Sequence, residues 1–235
     1  MYDMYFNKMY SEDLGFKIIK RPSVPASIKQ YTEIEIRGGD GKLYKENNLQ
    51  DIEFTVECNF INKETYDEDW HEQYRQIRSW INNIEDNQLI FDDIWDWYYE
   101  IKKVSIDSFD RIYKRMGKFN LKFLASPYMY KISNREILLQ QNIFRNSASI
   151  SKPTFRIVGN GICELSVNGN SVSCNVNGQL TIDTIWDKIL EADGSYAIGK
   201  TNIKDMRKLY IQIGNNNITW TDGFKVYMKP NLRTI

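Results

Sequence analysis

A chain of 235 residues with 42% apolar and 26% charged side chains is long enough for one large domain or two modest ones, and too apolar to be disordered. Thirty-one Lys and Arg balance 31 Asp and Glu, which excludes the basic surface of a protein built to neutralise nucleic-acid phosphates. One His and three Cys leave little material for metal sites or catalytic triads, whereas 14% aromatic residues suit a binding or structural role.

The first residues include Asp3 and lack an apolar core of about 7–15 residues, so no secretory signal peptide is expected. The longest uncharged stretch, 165–182, is rich in Asn, Ser and Gly and does not read as a membrane span. A protein made in the cytoplasm, with reduced thiols and no membrane insertion, is the expectation. Residues 1–138 hold 20 basic and 24 acidic side chains, and residues 139–235 hold 11 and 7. With the polar passage 140–149, this shift places a boundary between two units, 1–138 and 139–235.

In the first unit, Ile34 and Ile36 alternate with charged residues before Gly38-Gly39-Asp40-Gly41, which turns the chain into Lys42-Leu43-Tyr44. Ile52, Phe54, Val56, Cys58 and Phe60 share one parity and predict a strand with one buried face. The pattern changes at 65–84. Trp70, Tyr74, Ile77, Ile81 and Ile84 fall at helical spacing behind the capping box Thr65-Tyr66-Asp67-Glu68, predicting a helix over about 66–84. Residues 97–107 and 117–124 read as two further strands, joined by a polar connection at 108–116.

The second unit carries Asn-Gly pairs at 160–161, 168–169 and 177–178, the preferred dipeptide of two-residue hairpins. Strands are expected at 162–167, 172–176, 180–182, 210–213, 218–220 and 224–228, with a short helix at 185–190. Together they suggest an antiparallel β-sandwich. The predicted fold class is therefore mainly β, with one main helix in an α+β first domain. A two-residue turn at Asn168-Gly169 sets Cys163 opposite Cys174 and Leu165 opposite Val172, so that one face stays apolar. Cytoplasmic synthesis favours neighbouring, reduced thiols there.

No residue is nominated as catalytic, cofactor-binding or metal-ligating. His71 lies off the apolar stripe of the helix and has no evident nucleophile or orienting partner. Asp92, Asp93 and Asp96 lie beside Trp95 and Trp97, but adjacent carboxylates point apart in a strand, and a polar loop explains them better than a glycosidase pair. The glycine run at 38–41 lacks the following Lys-Ser/Thr pair and helix of a phosphate-binding loop. Cys58 alternates into a strand core, and three Cys without a CxxC pair make no zinc site. Trp186, Tyr196, Tyr210 and Trp220 are candidates for stacking on sugar rings, with core packing as the plainer reading.

The run Leu14-Gly15-Phe16-Lys17-Ile18-Ile19-Lys20-Arg21-Pro22-Ser23-Val24-Pro25, followed by Ile34-Glu35-Ile36-Arg37-Gly38-Gly39-Asp40-Gly41-Lys42-Leu43, resembles the opening of the distal tail proteins of long, non-contractile phage tails. Gly117-Lys118-Phe119-Asn120-Leu121-Lys122-Phe123 and Ser126-Pro127-Tyr128 are similar to the close of that family's N-terminal domain. Pro153, Gly159, Gly161 and Asn168-Gly169 resemble the start of its C-terminal, galectin-like β-sandwich. The last residues, 230–235, resemble the family's ending with Leu232 in place of an aromatic. The resemblance implies a structural protein without enzymatic activity, cofactor or nucleic-acid partner. It implies a homo-hexameric ring formed by the N-terminal domain at the distal end of the tail tube, in the virion. That ring would join the tail tube protein to a tail-associated hub or tip protein, and the C-terminal domain would carry receptor-binding or baseplate proteins. Trp95, Trp97, Tyr98 and Tyr99 are candidates for the contact between subunits, as aromatic side chains enriched in interface cores, unless they fill the subunit's own core. A carbohydrate-binding module assisting adsorption to the host surface is the alternative function, and an enzyme acting on cell wall through Asp93 or Asp96 is the third.

Overall fold

In a computed structural model that describes residues 2–36, 38, 40–61, 68–113, 116–140 and 142–235, contacts divide the chain into two units, Met1–Met129 and Tyr130–Thr234. The boundary lies upstream of 138. The reason is pairing: Ile137 and Leu138 lie opposite Met228 and Tyr227, so they belong to the second unit.

The first unit contains β1 (Met4–Phe6), β2 (Met9–Tyr10), β3 (Phe16–Ile18), β4 (Lys29–Glu35), β5 (Lys42–Leu49), β6 (Ile52–Ile61), helix α1 (Glu68–Asn82), β7 (Gln88–Phe91), β8 (Trp97–Tyr113) and β9 (Met116–Lys131). Its main sheet has the order β2-β1-β7-β8-β9-β6-β3. A bridge between Tyr2 and Ile18 and the bond from Phe16 N–H to the Ser11 carbonyl (3.2 Å) bring its two ends together, so the sheet rolls into a closed barrel. Alternation along β6 buries Ile52, Phe54, Val56, Cys58 and Phe60, opposite Ala125, Phe123, Leu121, Phe119 and Gly117 of β9. Period-two patterning therefore sets the core face here.

Helix α1 covers this core with Ile77, Trp80 and Ile81. The Trp80 ring meets Phe6 of β1 edge-on (centroids 5.4 Å) and Phe16 of β3 (5.8 Å). Residues 65–67 of the capping box and the side chain of Trp70 lie outside the described residues. Ile84 does not extend the stripe: the helix ends at Asn82 and Ile84 is 42% exposed. The expected connection at 108–116 is also replaced, since β8 continues to Tyr113 and β9 begins at Met116. Phe109 keeps that extension in place by packing on Phe60, Tyr74 and Phe119 (centroids 5.3, 4.3 and 5.1 Å). Strands β4 and β5 form a separate two-stranded ribbon.

The second unit contains β10 (Ile137–Leu138), β11 (Ile143–Asn146), β12 (Thr154–Val167), β13 (Asn170–Asp183), β14 (Lys188–Glu191), β15 (Gly214–Trp220), β16 (Lys225–Lys229) and β17 (Arg233–Thr234). Its sheet runs β10-β16-β12-β13-β14, and β15 pairs with both β11 and β12. Three expected strands merge into the long ribbon β12–β13, because only Asn168-Gly169 is a hairpin turn, with φ of 52° and 83°. The other two Asn-Gly pairs lie inside the ribbon, Asn160 opposite Asn177 and Gly159 opposite Gly178. They mark a bend: β12 pairs with β16 over Thr154–Val158 and with β15 over Leu165–Val167. Gly159 is required there, since a Cβ would stand 2.4 Å from the Phe224 ring.

Three further expectations are corrected. Residues 185–190 form no helix: Asp183 Oδ1 accepts from the Ile185 and Trp186 N–H groups (2.9 and 3.3 Å), and this turn leads into β14. In 210–213 only Ile211 pairs, with Ser151. The expected passage 140–149 contains β11, whose Phe144 carbonyl accepts from the buried Asn216 amide (3.4 Å). At the C-terminal end, Leu232 accepts from the Lys131 N–H through its backbone carbonyl (3.0 Å), so its side-chain type does not enter that bond.

Candidate functional site

The aromatic run after β7 separates by environment. Asp92–Ile94 form one turn of 3-10 helix, which leaves the Trp95 ring 76% exposed. Trp97 and Tyr98 are half-buried. Tyr99 is only 6% exposed, and its ring packs on Phe54 and Phe91 (centroids 5.6 and 6.2 Å). Tyr99 is therefore core and not a contact residue, because strand alternation turns it inward. Burial raises its phenol above the ordinary range against the opposing pull of Arg21.

The acids beside these rings differ in environment. Asp93 accepts from Arg21 Nε (2.6 Å), and the Arg21 guanidinium lies 3.8 Å from the centroid of Phe91. Asp92 faces a cavity of about 540 Å³ shared with Asp3, Tyr5, Tyr10, Ile90 and Trp95. His71 sits exposed on the helix. Among the described residues, no group of three His, Cys, Asp or Glu could hold a metal ion.

Among the described residues, strands β4 and β5 pair only with each other. Nearly every residue in this ribbon is exposed, including Tyr31, Ile34, Leu43 and Tyr44. Cross-strand ion pairs, Lys29 with Glu46 (2.8 Å) and Lys42 with Glu33 (2.5 Å), hold it together. Its sequence carries a signal for this: Ile34 and Leu43 face each other across the ribbon, while charged residues stand opposite Tyr31, Thr32 and Tyr44.

In the second unit the four candidate stacking residues do not converge. Trp186 and Tyr196 are 69% and 67% exposed. Tyr210 lines a cavity of about 390 Å³ with Ile198, Asp205, Met206 and Arg207, which neither of those two rings lines. Trp220 is half-buried: it donates its indole N–H to the Phe224 carbonyl (3.2 Å) and packs against the core. The predicted register is present: Cys163 faces Cys174 and Leu165 faces Val172, all four buried. Burial pushes the Cys174 thiol up to about 12, with Cys163 adding to the shift. Burial also raises Cys163 and Cys58.

Comparison with known proteins accounts for this barrel with its ribbon. Residues 12–125 match the family model of the phage tail protein RIFT-related domain. The first unit is a phage tail domain of this family. The likeness of fold extends beyond the matched residues. The crystal structure of SPP1 Dit, described as a paradigm of the hub adsorption apparatus in phages that infect Gram-positive hosts, is similar at a TM-score of 0.73 and 14% identity, covering 97% of this chain and 98% of that one. A chain of the phage P2 baseplate in its activated conformation with Ca is similar at a TM-score of 0.46 and 7% identity, covering 100% and 97%. No curated protein matches the sequence. The chain thus has the distal-tail-protein fold, mainly β with one helix, and carries a phage tail domain.

Proposed function

We propose that this chain is a structural, non-enzymatic hub of a phage tail. Six copies form a ring through their first units at the distal end of the tail tube. The ring joins the tube protein to the tail-associated tip protein, and the second units carry receptor-binding or baseplate proteins. The β4–β5 ribbon supports this reading most directly. An isolated two-stranded ribbon is marginal in water, and this one exposes Tyr31, Ile34, Leu43 and Tyr44, so a neighbouring subunit is the natural cover. Trp95, exposed ahead of β8, marks a second, different surface. Two unlike patches are what a head-to-tail ring requires.

Light scattering and negative-stain microscopy test the proposal. The expected result is a mass near six chains and a ring with a central hole. Ile34→Glu combined with Leu43→Glu is expected to release folded single subunits. A single-chain species at every attainable concentration, or a ring indifferent to the double substitution, overturns the reading. The exposed rings of Trp186 and Tyr196 favour a second activity, saccharide binding by the second unit. Glycan-array binding that is lost in Trp186→Ala and Tyr196→Ala would establish it.

A further inference from the structure

We propose that the cavity beneath Trp95 receives an arginine side chain from a partner polypeptide. Its floor is the outer face of the barrel sheet. Tyr5 lies opposite both Tyr10 of β2 and Ile90 of β7, so these three side chains share that face, with the Tyr5 and Tyr10 rings edge-to-face at 5.1 Å. Trp95 and Asp92 form the rim, and Asp3 completes the lining of a cavity of about 540 Å³.

Charge selects the guest. The described lining holds two carboxylates and no Lys, Arg or His. Asp3 Oδ1 already accepts from the Met4 N–H (2.9 Å) and the Ser11 hydroxyl, which leaves Oδ2 for a donor. The Asp92 carboxylate is exposed and has no ion pair among the described residues. Arg21, whose guanidinium lies against Phe91 of the lining, is already matched by Asp93 at 2.6 Å. An aromatic wall with carboxylates at the rim attracts a cation, and a planar guanidinium both stacks on indole and forks to carboxylates, which an ammonium does not. Arg21 shows this chemistry beside the site, lying over Phe91 while it donates to Asp93. Two carboxylates without a cation in the described lining favour a charged guest over a neutral saccharide, although Tyr5, Tyr10 and Trp95 carry donors of their own. The proposal rests on the reading of the Trp95 face as a contact surface, and it names the chemistry of what meets that face.

The test uses the full chain and the small probe N-acetyl-arginine methylamide. Trp95 emission is isolated as the fluorescence difference between wild type and Trp95→Phe, a readout that does not depend on ring formation. The expected result is a saturable change that weakens about tenfold in Asp92→Asn and is absent with the uncharged norleucine analogue. Unchanged circular dichroism of Asp92→Asn shows that the loss is local, and Tyr10→Ala provides a second variant expected to weaken binding. No Trp95 response to the arginine probe, equal affinity in Asp92→Asn, or an equal response to methyl glucoside overturns the proposal. A chain that binds the probe but forms no ring would overturn the hub reading alone.

Discussion

Asn7 and Trp80, 73 positions apart, are joined where the turn between β1 and β2 meets the end of α1: the Asn7 amide donates to the Trp80 carbonyl at 2.7 Å. The same amide donates to the Asn83 carbonyl (2.9 Å), while Asn7 Oδ1 accepts from the Glu85 and Asp86 N–H groups (2.7 and 3.2 Å). Trp80 returns a bond from its indole N–H to the Phe6 carbonyl (3.2 Å). One side chain from a distant turn thus satisfies carbonyls that a helix end leaves unpaired and turns the chain away before Ile84.

Asn7 has a φ of 49°, so Asn7→Gly keeps the backbone and removes only the side-chain bonds. Buried donors and acceptors left without partners cost about 1–3 kcal/mol. Urea denaturation is expected to show a loss of that size with an unchanged denaturant slope. A loss below about 0.5 kcal/mol would mean that water replaces the cap.

Ile77 and Ile84 share the helical spacing but not the environment, one buried and the other exposed. Ile77→Ala is expected to cost about 2–5 kcal/mol, and Ile84→Ala no more than about 0.5 kcal/mol. Equal shifts in melting temperature would contradict the helix end at Asn82.

Two of the Asn-Gly pairs should respond differently to substitution. Asn168 sits at positive φ, donates to Asn216 Oδ1 (2.8 Å) and accepts from the Asn217 N–H (2.9 Å). Asn177 is an exposed strand residue. Asn168→Ala is expected to lower stability by about 1–2 kcal/mol, and Asn177→Ala by less than about 0.5 kcal/mol. Chemical denaturation of the two variants side by side provides the check.

Cys163 and Cys174 should stay unreactive toward alkylating reagents in the native state and react once urea unfolds the chain, because the thiolate is the reactive form. Protein made in a reducing cytosol should show three free thiols by mass spectrometry, and a native 163–174 bridge would refute that expectation. The raised thiol sets the sign of the pH dependence. Its contribution to stability is complete below the ordinary value of 9.0 and falls as pH rises toward about 12, since the unfolded chain releases the proton first. A Cys174→Ala variant should lose less stability than wild type across that alkaline range.

The sequence by itself determined those features that depend on local periodicity and local turn chemistry. The buried face of β6, the core positions Ile77 and Ile81 of α1, and the facing of Cys163 and Cys174 across Asn168-Gly169 all follow from residue spacing. Only the tertiary structure decided what each local pattern faces. The apolar pair Ile34 and Leu43 suits a core as well as it suits solvent, and here both side chains are exposed. Asn160-Gly161 and Asn177-Gly178 carry the same turn signal as Asn168-Gly169, yet pairing of β12 with β16 and β15 makes them a bend in two long strands. Trp95 and Tyr99 are alike in composition, and the 3-10 turn before β8 exposes one while strand alternation buries the other. The cavity at Trp95 joins residues 3–10 to residues 90–95 through pairing of β1 with β7. That juxtaposition is a long-range contact, and spacing within a segment carries no information about the segment it will meet.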